Sequence, residues 1–223
     1  MGQKMAAALF ITLLVSSVAH AQIIIFEDGF ESGWLGRWFN APWEPRLYLW
    51  EVDADTLGTD DAEFIELWNR TGVEIDFTKE RYYVLLINGS DDLTYDAYQL
   101  IGNLAVDEIY LIDTLPANSI QNGPDGVLLV RCNSCTSSEA DFPNDYDVGI
   151  GTTFLTAGGN TATKIDALAY DTDDPDDTSL WAKLNAFYQY NENFNGNKDF
   201  ESNNRMNFDP DWWAAIVATP GVW

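Results

Sequence analysis

The sequence predicts an antiparallel all-β domain. Short apolar runs rich in Val, Ile, Leu and Tyr recur from Leu47 onward, and turn residues separate them. Helical periodicity is weak except near Ser179–Phe187, where Trp181, Leu184 and Phe187 stand at three-residue steps. A chain of 223 residues, 46% hydrophobic and 14% aromatic, is long and apolar enough to bury a core.

The chain opens with the marks of an export signal. Lys4 supplies a positive start, residues 5–18 an apolar stretch, and Ala19-His20-Ala21 a small-residue cleavage site. The stretch is short for a bilayer-spanning helix, which needs about 20 residues. Residues 1–21 are therefore expected to be removed, with no membrane insertion afterwards. His20 is the only histidine. The processed chain would then carry no Ser-His-Asp or Cys-His machinery and no His-containing zinc site.

Residues 22–46 read as a short strand and an irregular lead-in. Its Trp34, Trp38 and Trp43 either cover one end of the core or stack on sugar rings. The strand-length runs are Leu47–Val52, Phe64–Trp68, Val73–Phe77, Tyr82–Ile87, Ala97–Ile101, Glu108–Ile112, Val127–Val130 and Ile165–Tyr170. Between them stand GTDD, NRTG, NGSDD, GN, NGPDG and AGGN, each a turn signal. In NGPDG, Gly123 and Gly126 allow positive φ and Pro124 presets a turn. Acidic residues 171–177 and the Asn-rich 191–205 read as loops. Trp212, Trp213 and the apolar residues after them predict a closing strand, so residues 47–221 are expected to form one domain.

In order along the chain, DDAEFIELWNRTGVEID (60–76), VLLINGSDDLTYDAYQLIG (84–102), IQNGPDGVLLV (120–130), KIDALAYD (164–171) and SNNR (202–205) with Thr219-Pro220-Gly221 resemble the lamin tail domain family. The resemblance spans roughly residues 47–221. Phe77–Arg81 depart from the family's usual turn. The resemblance implies an immunoglobulin-like β-sandwich of lamin-tail type, and it implies no catalytic residues. On the strand 64–68, alternation places Ile65 and Leu67 in the core and Phe64, Glu66 and Trp68 on the other face. Glu63 and Glu66, three apart, point to opposite faces and do not flank one substrate.

Cys132 and Cys135 are the only cysteines, and in an exported chain they are expected to form a disulfide. A redox pair lacks the βαβ context, and two thiolates leave a zinc site two ligands short. Free thiols are the remaining alternative. Asp171, Asp173, Asp174, Asp176 and Asp177 crowd one loop, either as a solvated charge run or as a calcium site built from oxygens. Asn191, Asn193, Asn195, Gly196 and Asp199 imitate part of a calcium loop, with Ser202 where the closing Glu should stand.

Charge narrows the partner. Lys and Arg number 11 against 36 Asp and Glu, a formal charge of −25. That balance excludes electrostatic capture of nucleic acid or of anionic lipid. The leading expectation is a non-enzymatic binding or scaffolding module, secreted or at the cell surface, with no cofactor. Its expected partner is a protein or an extracellular polymer. One alternative is a carbohydrate-binding module using exposed Trp and Tyr. The other is a hydrolase using two facing carboxylates, which needs them roughly 5–10 Å apart.

Overall fold

The protein is described from a computed structural model. The chain divides into two compact units, Met1–Leu35 and Gly36–Trp223. The described residues all lie in the second: 46–54, 62–121, 125–170, 180, 183–184, 201–206, 209–217 and 220, with backbone alone for 201–217.

Strands β1 (Leu47–Asp53), β2 (Phe64–Asn69), β3 (Ile75–Asp76), β4 (Tyr82–Asn88), β5 (Leu93–Gln99) and β6 (Asn103–Leu104) come first. Then follow β7 (Ile109–Ile112), β8 (Asp125–Arg131), the short helix α1 (Ser138–Asp141), β9 (Thr153–Leu155) and β10 (Thr161–Tyr170). Last come β11 (Glu201–Met206) and β12 (Asp209–Val217). They build one antiparallel sheet in the order β12-β11-β1-β2-β7, a second in the order β5-β4-β8-β10-β9, and a two-stranded third, β3-β6. The expected all-β sandwich is what forms.

Alternation explains the layers. Leu49, Val52, Ile65 and Leu67 of the first sheet meet Val84, Leu86, Val127, Leu129 and Leu168 of the second in one buried cluster. Ile65 and Leu67 thus take the core positions expected of them. The second sheet is covered on its other face too. Tyr83, Leu85, Ile87, Leu128 and Val130 pack beneath the 132–154 segment and beneath Leu180 and Leu184. A strand apolar on both sides, such as Tyr82–Ile87, needs cover on both sides. Leu180, Lys183 and Leu184 are helical, and it is Leu180 and Leu184, four apart, that face the sheet. Trp181 and Phe187 lie outside the described residues.

Three expectations need correction. Gly126 is a β8 residue paired with Ala169 and Ile87, and its φ is not positive. A Cβ there would stand 2.7 Å from Leu184 Cδ1, so the missing side chain admits Leu184. Within the stretch read as an Asn-rich loop, Ser202–Arg205 lie in β11, between β1 and β12. Backbone pairing on both edges overrides their low strand propensity. The strand after NGSDD starts at Leu93 and ends at Gln99, so Ile101 lies beyond it and is exposed. The closing strand foreseen from Trp212 and Trp213 is β12.

Candidate functional site

The polar residues of the motif-like segments turn to the backbone. Glu63, buried just ahead of β2, accepts from the Ser119 amide at 2.7 Å and, more weakly, from that of Ile120. Asn69 is fully buried at the end of β2. Its Nδ2 donates to the carbonyls of Val73, Leu104 and Ala105, at 2.9, 3.0 and 3.0 Å. Its Oδ1 accepts from the Thr71 amide and hydroxyl. Asp125 Oδ1 accepts from Gly89 N at 2.9 Å and so ties the β4–β5 turn to β8. Asp166 Oδ2, in the second sheet, accepts from Leu49 N of the first at 2.9 Å. Both residues sit at register shifts in their own sheets.

The structure brings together a pair of carboxylates that sequence reasoning missed. A bulge after Leu49 places Glu51 directly opposite Glu66 on the outer face of the first sheet. Cross-strand neighbours have Cβ atoms about 5 Å apart. Both are fully buried, a placement closed to a polymer substrate. Trp50 and Trp68 pack there edge to face, centroids 4.6 Å apart and planes at 62°. They are buried and tilted, so they make no flat sugar platform. Only the register shift unites Glu51 with Glu66, and alternation alone gives no sign of a bulge.

Cys132 and Cys135 form the expected disulfide, with Cα atoms 5.5 Å apart. Both are buried in the second cluster, and the Arg81 guanidinium donates to the carbonyls of Cys135 and Thr136. Asp141 closes the same loop region. Its carboxylate takes bonds from Thr136 N at 2.7 Å, Thr156 Oγ1 at 2.7 Å and Asn160 Nδ2 at 2.8 Å. Burial alone would raise its pKa, but these donors together hold it below the usual carboxylate value.

Lysines fasten the far side. Lys164 Nζ, buried, donates to the carbonyls of Gly149 and Lys183. Burial lowers its pKa from 10.5 to about 8, against the pull of Asp147. Lys183 donates to Asp92 O at 3.0 Å and pairs with Asp147 at 3.2 Å. Arg46, Arg70, Lys79 and Arg131 face carboxylates as well. Every cation with a described side chain is thus committed inside the chain.

A cleft of about 330 Å³ is lined by residues of β5 and β7, edge strands of different sheets, and by Ser138 of α1. Tyr98, Gln99, Ile101, Tyr110, Ile112 and Ser138 are among its lining. Tyr98 Oη donates to Asp96 Oδ2 at 2.6 Å, and burial followed by this contact pushes its pKa far above the usual 10. Tyr110 stacks edge-on against Phe77 and accepts from Ile101 N. The β5 edge is blunted. Thr94 exchanges backbone bonds with Asp145 and Tyr146, and the Asp96 carboxylate caps the Ala97 amide.

The aspartates 171–177, the partial calcium loop from Asn191 to Asp199, and residues 1–45 lie outside the described residues. Among the described residues no group of three or more acidic, His or Cys side chains is placed to hold a metal ion. No family model matches the chain, and no curated protein or solved structure is significantly similar to it.

Proposed function

We propose that the chain is a non-enzymatic binding or scaffolding module of lamin-tail type. In this reading residues 1–21 direct export to the medium or the cell surface and are then removed. Its partner is a protein or an extracellular polymer. One observation carries the reading. Glu63, Asn69, Asp125 and Asp166, polar residues of the motif-like segments, each bond backbone amides or carbonyls. The β5–β7 cleft, in contrast, is lined by Tyr, Gln, Thr, Ser and aliphatic side chains, with no acid–base pair. Such a lining supports a binding reading.

The test is an assay of the exported chain against polysaccharide, peptide and ester substrates. The expected result is no turnover, with an N-terminus at Gln22 by sequencing. Turnover that disappears in Glu51→Gln or Glu66→Gln would replace the reading with that of a carboxylate hydrolase.

A further inference from the structure

We propose that the outer edge of β9 pairs with β9 of a second copy of this chain, antiparallel and about a two-fold axis at Phe154, joining the second sheets of the two copies into one. This goes beyond the binding-module reading and does not depend on it.

Backbone geometry opens this edge. β9 ends the second sheet, and among the described residues it pairs with β10 alone. Phe154 stands opposite Ala162, Thr152 O accepts from Lys164 N, and Thr156 N donates to Asn160 O. Residues 152, 154 and 156 thus turn their backbone groups to β10, and those of Thr153 and Leu155 point outward. Among the described residues, no bond uses Thr153 N, Thr153 O or Leu155 N. Leu155 O accepts from the Tyr146 hydroxyl and, with two lone pairs, has room for a second donor. The β5 edge differs, because Asp145 and Tyr146 bond to Thr94 there.

An open edge takes a strand, and charge selects which one. The chain carries −25, yet no charged residue stands between Asp147 and Lys164. The β10 residues paired with β9, Thr161 to Thr163, lie in that uncharged stretch. The buried Lys164 ammonium is turned to the carbonyls of Gly149 and Lys183. Two acidic copies therefore meet here without like charges opposed across the ladder. The register closes on itself as well. With Thr153 opposite Leu155 of the second copy, each Thr153 N–H meets a Leu155 carbonyl and each Leu155 N–H a Thr153 carbonyl. Every outward group of both strands is then paired. Leu155, 64% exposed in the single chain, packs beside Thr153 of the second copy.

The experiment is sedimentation velocity on the full processed chain, from micromolar to submillimolar concentration and in low and high salt. A contact this short belongs to the weak class, so a monomer–dimer equilibrium is expected towards the upper concentrations. Salt is expected to tighten it, because screening relieves the repulsion between two acidic copies. Thr153→Pro removes an outward N–H that the pairing with β10 does not use. Leu155→Glu sets a charge on the edge, at an exposed side chain. Each is expected to weaken the dimer about tenfold or more, roughly 1.4 kcal/mol, with an unchanged circular dichroism spectrum. Ile101→Glu makes the same kind of change on an exposed side chain just beyond β5, the opposite edge of the sheet, and is expected to stay within about twofold. Equal losses in Leu155→Glu and Ile101→Glu would reduce the effect to bulk charge and overturn the pairing. A dimer that survives both Thr153→Pro and Leu155→Glu would place the contact elsewhere and overturn it too. So would a chain that stays monomeric at every concentration and salt, while the binding-module reading still stands or falls on turnover.

Discussion

At the residue scale, Asn69 shows how one side chain can tie several loops together. Its amide joins the end of β2 to the 70–74 turn and to the β6–β7 connection. Asn69→Ala leaves those carbonyls without the donor in a buried place, and denaturant unfolding should show a loss of about 3 kcal/mol. Lys164 makes a prediction about pH. Its folded pKa, about 8, lies below its ordinary 10.5. Between those values the unfolded chain binds more protons, so this group makes stability rise with pH across that window and level off above it. Below about pH 8 the cost of burying the charge is present in full. Unfolding free energies of the wild type and Lys164→Met, compared across the window, should show the rise in the first and its absence in the second. The roles of these two residues are invisible in sequence, because each depends on carbonyls far along the chain.

At the element scale, the second sheet is packed on both faces, as are β1 and β2 of the first. Its tight point is Gly126 against Leu184. Gly126→Ala should cost about 1–3 kcal/mol by overpacking. Leu184→Ala should cost about 2–5 kcal/mol on its own through the cavity it leaves. In the double variant the increment from Gly126→Ala should shrink towards zero. Additive melts would show that the contact is not the constraint. The disulfide belongs to the same layer. It closes a loop with a sequence separation of 3, so Cys132→Ser/Cys135→Ser should lose less than the roughly 3 kcal/mol of a 15-residue loop. Most long strands were legible, because alternation or a continuous apolar run marks them. The two-residue β3 and β6 and the three-residue β9 were not seen at their true extent. Runs that short carry no period, and their pairing is set by the loops that bring them together.

At the scale of the whole molecule, charge dominates. A net −25 resists compaction, and salt should relieve it by screening. Melting temperature should rise with ionic strength, to the same extent with Ca²⁺ and Mg²⁺ at matched strength. A calcium site within Asp171–Asp177 would instead add about 2.7 kcal/mol at a hundredfold excess over Kd. That gain would be specific to Ca²⁺ and lost in Asp173→Asn/Asp176→Asn.

The sequence alone determined the all-β class, the faces of β2, the closing strand and the cysteine pair, because each is a local property of period, turn chemistry or composition. Tertiary structure decided the rest. It set Glu51 opposite Glu66 through a bulge, carried Asp166 across the sandwich to Leu49, and turned Ser202–Arg205 into a strand between two others. It also opened the cleft, whose lining comes from β5 and β7, edges of different sheets. Those features depend on contacts between residues distant in the chain, and a pattern read along the chain has no access to them.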